Sequence, residues 1–265
     1  MRSHQPVLCE AAVDLLVGRL PAGGAGAGAA GVKGWQWAGP GRPVEGIYVD
    51  ATFGRGGHSR RLLEVLGAAS RVIGIDRDPA AVSAGAGLAA GDPRLEVVHA
   101  QFSALGAVLA ARGIERVQGV LMDLGVSSPQ LDDPARGFSF RFEGPLDMRM
   151  DPSRGRTAAD WLNGAGEAEL AQALRELGEE RYARRIAAAI VAARPIRTTT
   201  ELVAIARAAQ SRVTPGKHAA TRTFQAVRMV VNDELGEIET GLAAAFAALG
   251  PGGRLAVISF HSLED

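Results

Sequence analysis

The chain has 265 residues, 47% hydrophobic and 22% charged, which supplies enough apolar material for a buried core at an ordinary charge content. This length is large for one domain and small for two, so one core fold carrying an insertion is expected. Net charge is zero and Cys9 is the only cysteine, which excludes an internal disulfide and a multi-cysteine zinc site; no metal site is expected.

The first residues, Met1-Arg-Ser-His-Gln-Pro6, lack the basic-then-apolar layout of a signal peptide. The longest apolar runs, at 187–193 and 242–249, are too short to cross a bilayer, so a cytoplasmic protein with no membrane partner is expected. The stretch Pro21–Pro43 is rich in Gly and Ala, has no periodicity, and reads as a surface loop. Strand-like runs follow at Gly46–Asp50, Arg71–Asp76, Leu95–His99 and Val117–Asp123, each short and mostly ending on a polar or acidic residue. Such near-continuous apolar runs suit strands buried on both faces of a parallel sheet. Helix-like stretches at Ser59–Leu66, Pro79–Ala89 and Ser103–Arg112 lie between them, the alternation of βαβ units.

From 124 to 253 the alternation stops and the sequence reads as helical. Thr157-Ala-Ala-Asp160 is a capping-box-like start, Leu170, Leu174 and Leu177 recur at helical spacing before Gly178, and Arg181–Arg194 continues as a helix that must end near Pro195. A Gly-rich turn at Leu249–Gly253 then leads into a fifth strand, Arg254–Ser259. The predicted architecture is α/β, a doubly wound Rossmann-like sheet with a helical insertion between its fourth and fifth strands. The core takes 1–131 plus 229–265 and the insertion 132–228. Between Arg181 and Arg228 stand nine Arg and one Lys against the single acid Glu201. Flanking segments are acidic, with six acids and one Arg over Asp160–Glu180 and again over Met229–Asp265. Zero net charge therefore conceals a basic block, which a polyanion would match, though a solvated helical face explains it equally well.

Chemistry concentrates where strands end. After the first strand comes Asp50-Ala-Thr-Phe-Gly54-Arg-Gly56-Gly57-His58-Ser59, whose glycines allow a sharp turn and close approach to a nucleotide-like ligand. Ser59 stands where a dinucleotide fingerprint has its third glycine. The second strand ends on Asp76, 20 residues past Gly56, where a carboxylate can accept both hydroxyls of a ribose, shared by NAD and S-adenosylmethionine. The segment Asp123-Leu-Gly-Val-Ser-Ser-Pro129-Gln130 follows the fourth strand, where an acid and a Ser-Ser-Pro turn can fix a cofactor and an incoming amine. The turn at Leu249–Gly253 resembles the entry to the penultimate hairpin of class I methyltransferases.

Five segments together resemble the MraW/RsmH family, which methylates the exocyclic amine of a cytosine in bacterial 16S rRNA. They are Thr52–Ser59, Ile75–Pro79, Asp123–Gln130, His218–Leu235 and Ser259–Asp265, in that order. The resemblance implies an rRNA (cytosine-N4)-methyltransferase with S-adenosylmethionine as cofactor and 16S rRNA of the small ribosomal subunit as partner; a homodimer stays open. It implies that Gly56, Gly57 and His58 line the cofactor's methionine end. Asp76 would hold the ribose, Phe102 would cover the adenine, and Asp123 and Gln130 would complete the pocket. Two features depart from the family pattern: the long Gly/Ala stretch with Trp35 and Trp37, and a stop at Asp265 where family members run on with a basic tail.

Amine methyltransferases place an Asp/Asn/Ser-Pro-Pro-aromatic turn after the fourth strand to accept the amine's hydrogens. Here Ser127-Ser128-Pro129 takes that place without the aromatic, so the catalytic expectation falls on Asp123, Ser127 and Ser128, with His261 as a second proton acceptor and the base-stacking partner coming from elsewhere. Arg184, Arg185, Arg194 and Arg197 of the basic insertion are expected to clamp phosphates. Two other readings are an NAD-dependent oxidoreductase, disfavoured by the missing third glycine, and a non-catalytic RNA-binding ribosome-assembly factor, which would leave the nucleoside pocket idle.

Overall fold

The structure, a computed structural model, describes residues 8–18, 44–211 and 218–264; the stretch Pro21–Pro43 lies outside the described residues. In chain order the elements are α1 (Cys9–Val17), β1 (Ile47–Asp50), α2 (Gly57–Val65), β2 (Arg71–Asp76), α3 (Pro79–Gly91), β3 (Leu95–His99), α4 (Leu105–Ala110), β4 (Val117–Asp123) and α5 (Ser128–Asp132). There follow α6 (Ala158–Gly164), α7 (Glu167–Glu176), α8 (Ala183–Ala192), α9 (Thr199–Ala209), α10 (Thr221–Asn232), α11 (Glu234–Ala248) and β5 (Leu249–Ile258).

All five strands form one parallel sheet in the order β3-β2-β1-β4-β5. The chain leaves β1 toward β2 and β3, then returns to β4 on β1's other side. That reversal creates a switch point between β1 and β4, and ligands of open α/β sheets bind outside the carboxyl ends of the strands there. The fold is Rossmann-like. The central strands are buried on both faces, with Val49, Val72, Ile73, Ile75, Val120, Leu121 and Met122 inaccessible to solvent, which is why they read as unbroken apolar runs.

The chain divides into two compact units, Met1–Gly125 with Glu237–Asp265, and Val126–Gly236; the sequence had suggested divisions at 131/132 and 228/229. In the first unit, the sheet and α1 share a core that includes Val13, Leu16, Tyr48, Phe53, Leu62 and Leu121. Helix α1 was not anticipated. It buries Cys9, Ala12, Val13, Leu16 and Val17, the three-four spacing of a helix with one apolar face, and closes on Gly18 at φ 76°. Asp78 caps α3 by accepting the Ala80 N–H at 2.9 Å, and Pro79 opens its first turn.

The second unit is helical, built around Leu146, Trp161, Leu162, Leu170, Leu174, Ile186, Ile190 and Phe224. Thr157 and Asp160 form the expected capping box on α6, and Thr198 with Glu201 forms another on α9.

Two sequence expectations require correction. The Gly-rich segment before Arg254 is not a turn ahead of the fifth strand. It belongs to β5, which runs parallel to β4; Val117 pairs with Leu249 and Gly119 with Arg254, so the glycines are looped out in a bulge, with Gly252 at φ 76°. Arg194 is committed inside the protein: its guanidinium donates to the Leu162 carbonyl at 2.8 Å and to the Ala165 carbonyl. It closes the carbonyl end of α6 and is unsuited to a phosphate clamp.

Candidate active site at the strand ends

Three strands of the first unit finish on carboxylates, β1 on Asp50, β2 on Asp76 and β4 on Asp123, and each is tied to the loop after β1. Asp50 is fully buried and accepts the Ser59 hydroxyl at 2.7 Å. Asp76 accepts the Gly54 N–H at 2.7 Å through one oxygen and the Asp78 N–H at 2.8 Å through the other. The Asp123 N–H donates to the Thr52 hydroxyl at 2.7 Å, and Asp123 Oδ2 lies 3.9 Å from Nδ1 of the buried His58. Residues 52–59 therefore act as a hub joining the ends of β1, β2 and β4.

The glycines of this loop have an internal task that sequence spacing does not show. Phe53 turns inward, and a Cβ on Gly56, Gly74 or Gly85 would stand 2.6, 2.4 or 2.7 Å from its ring. These glycines form the slot for Phe53, so Gly56 is required by packing as well as by its φ of 70°. Gly54, at φ 54°, instead faces open space, with nothing nearer than 3.9 Å to a Cβ placed there. Its N–H is the group that meets Asp76.

Burial sets the electrostatics. Desolvation pushes the Asp76 carboxyl up to about 6 against the pull of its two backbone N–H donors. It also pushes Asp123 up to about 6; His58 pulls it down and the Asp50 charge pushes it further up. Asp50 is raised too, by desolvation first, with the Ser59 hydroxyl opposing. Asp123 Oδ1 is buried and has no hydrogen-bond partner among the described residues, and the same holds for Oε2 of Glu237, near the start of α11. A buried, unpaired acceptor is costly unless something supplies a donor. The strand ends thus form a site short of donors and positive charge.

Gly57 opens α2 directly before His58. Phe102, just past β3, is half-buried, with its ring over Gly241 of α11 where Met122 also reaches. The Leu263 N–H donates to Nδ1 of His261 at 3.2 Å. Ser127, Ser128 and Gln130 belong to the second unit, where Ser127 caps α5 and Gln130 is buried with its side-chain oxygen accepting the Ser127 N–H at 3.0 Å.

Asp50 and Ser59 were not singled out as site residues. Ser59 carried the only signal, as the residue replacing a third glycine; its hydroxyl is what holds Asp50. In the second unit, Arg184, Arg185 and Arg197 are exposed, with Arg185 over the Tyr182 ring at 5.7 Å. A cleft of about 520 Å³ in the same unit is lined by residues including Asp147, Asp160, Asn163 and Arg197. Three of its polar side chains are spent locally: Asp147 on Arg149, Asp160 on Thr157, and Asn163 on the Ile196 backbone. No group of three or more metal-ligating side chains occurs among the described residues, nor any helix long and apolar enough to cross a membrane.

A protein from Azoarcus sp. (strain BH72) named ribosomal RNA small subunit methyltransferase H is 59% identical over 224 residues, covering 83% of this chain and 71% of its own. The protein of the same name from Bordetella pertussis is 54% identical over 267 residues, covering 99% of this chain and 72% of its own. An rRNA methylase structure from Streptococcus thermophilus aligns over 47% of this chain and 73% of its own at 18% identity, with a TM-score of 0.26, too low to bear on the fold. The family described as MraW methylase matches from residue 1 to residue 265, and with relatives this similar along most of its length the chain belongs to that family.

Proposed function

We propose that the protein transfers a methyl group from S-adenosylmethionine to the exocyclic N4 amine of a cytosine in the 16S RNA of the small ribosomal subunit. The observation that carries this reading is the convergence of Asp50, Asp76 and Asp123 on one glycine-containing loop, with a buried Asp123 oxygen left unpartnered. A ligand bringing hydroxyl donors and positive charge fits such a site. S-adenosylmethionine has both, in its ribose and in its sulfonium and ammonium groups. The names of the relatives support RNA of the small subunit as the acceptor.

Asp76 would hold the ribose hydroxyls through lone pairs that its two backbone donors leave available, while Gly56, Gly57 and His58 would flank the methionine end. Phe102 would cover the adenine. When bound, S-adenosylmethionine supplies an electrophilic methyl carbon. The chain's own task is to align the target nitrogen with that carbon and to exclude water. Cytosine's amine is a weak nucleophile because its lone pair is delocalised into the ring. An acceptor that draws on its N–H bonds sharpens the lone pair and receives the proton as the new N–C bond forms. Asp123 suits this role: one oxygen is unpartnered, and a carboxyl near pKa 6 is ionised at neutral pH yet basic enough to accept a proton. Arg184, Arg185 and Arg197 would contact phosphates. The target base must be unstacked to be reached, which is cheapest in a single-stranded loop.

Titration calorimetry with S-adenosylmethionine and NAD tests the cofactor reading. Micromolar-range binding of the first, and none of the second, is expected; preference for NAD would overturn it.

A further inference from the structure

The site as described has acceptors for an amine but no surface against which a flipped base can lie flat, and β5 supplies one. Asp123 pairs in register with Ile258, and the Leu124 N–H donates to the Ile258 carbonyl at 2.9 Å. Two residues further along each chain come Gly125 and Phe260, side by side. Gly125 is at φ 98°, and a Cβ built on it would lie 3.9 Å from the Phe260 ring. The absence of a side chain at 125 therefore leaves the space beside that ring open. Phe260 is 61% exposed, unusual for a residue whose backbone is firmly held. The Phe260 N–H donates to Glu264 Oε2 at 3.0 Å, the His261 N–H to the same oxygen at 3.3 Å, and the Glu264 N–H to the His261 carbonyl at 2.9 Å. Glu264 is itself 6% exposed. The result is a hydrogen-bonded loop that presents one aromatic ring to solvent at the carboxyl end of the sheet, about two strand residues, roughly 7 Å, from the level of Asp123.

Resting on the methyl-transfer reading above, we infer that Phe260 is the stacking platform for the target base, holding the cytosine ring while its amine reaches Asp123. Aromatic stacking suits this purpose because it grips the π-face of a base and leaves the edge that carries the amine free to be read. The platform is preorganised, since the Glu264 carboxylate has already fixed the backbone that carries the ring. It also answers the absence of an aromatic from the Ser127-Ser128-Pro129 turn.

The test uses the full chain. With small ribosomal subunits from cells lacking this enzyme as substrate, Phe260→Ala should lower kcat/KM for methyl transfer by roughly 5- to 150-fold, the scale of one lost base–aromatic stack. Phe260→Trp should stay near the parent rate, and S-adenosylmethionine affinity should move by less than about twofold in either variant, since stacking on the RNA base makes no contact with the cofactor. A second readout does not depend on turnover. The extra tryptophan fluorescence of Phe260→Trp over the parent should be quenched by cytidine and not by ribose 5-phosphate. Parental activity in Phe260→Ala, or equal quenching by the two probes, would overturn the assignment. If the parent protein transfers no methyl group at all, the methyl-transfer reading fails, and the cytidine quench still decides whether Phe260 stacks a base.

Discussion

Replacing Asp123 with Asn should make the protein more stable and much less active. A carboxyl raised from the ordinary ~3.9 to about 6 binds its proton more tightly in the folded chain than in the unfolded one. Its contribution to stability therefore falls as pH rises from about 4 through about 6, and levels off above that. At about 1.4 kcal/mol per pKa unit the ceiling is near 3 kcal/mol. The side chain keeps 24% exposure, so solvent relaxation brings the expected gain from removing the charge down to about 1–2 kcal/mol at neutral pH. Asn keeps the shape and leaves the backbone bond to Thr52 intact. Urea unfolding of both proteins without cofactor, at pH 4 and pH 7.5, reads this directly. Asp123→Asn should gain stability at pH 7.5 and match the parent near pH 4. Methyl transfer should fall by roughly a hundredfold or more, with cofactor affinity falling far less. A variant no more stable than the parent at pH 7.5, with an unchanged pH slope, would refute the claim that Asp123 is a charge held at a cost for function. A loss of affinity equal to the loss of rate would make it a cofactor ligand only.

Asp76→Ala should weaken S-adenosylmethionine binding by roughly ten- to a hundredfold, measured by calorimetry on folded protein. Because the ionised form is the one that accepts ribose hydroxyls, parental affinity should drop as pH falls through about 6, and Asp76→Asn should flatten that dependence. Ser59→Ala strips the buried Asp50 of its hydroxyl donor, and a loss of about 1–3 kcal/mol in denaturant stability is expected; an unchanged midpoint would mean that another group holds Asp50. Neutralising Arg184 and Arg185 together should weaken RNA binding and make its salt dependence shallower by about one to two log-log units, with cofactor affinity unmoved. Arg194→Ala should lower the thermal midpoint, because its guanidinium is spent on the Leu162 and Ala165 carbonyls.

The parallel sheet was legible because its signals are local. Arg71–Asp76, Leu95–His99 and Val117–Asp123 form strands with the very bounds their apolar runs suggest. Capping chemistry at Thr157–Asp160 was equally readable, since both partners lie within one helical turn. Helix α1 escaped because its apolar spacing depends on small residues, Cys9 and Ala12, that carry little signal without the sheet they face. The site was half legible. Asp76 and Asp123 stand out as acids ending buried strands. What holds them is long-range: Thr52 meets Asp123 across 71 residues and Gly54 meets Asp76 across 22. No periodicity encodes such pairs. The same limit hid the Phe53 slot, made by glycines at 56, 74 and 85, and it let Arg194 pass for a surface charge.

The central claim rests on where the methyl group goes. Small ribosomal subunits from cells lacking the enzyme, incubated with the protein and S-adenosylmethionine tritiated on the methyl group, should take up about one label per subunit. After digestion of the 16S RNA to nucleosides, that label should elute as N4-methylcytidine. Label on another nucleoside, on ribosomal protein, or none above a no-enzyme control would contradict the account.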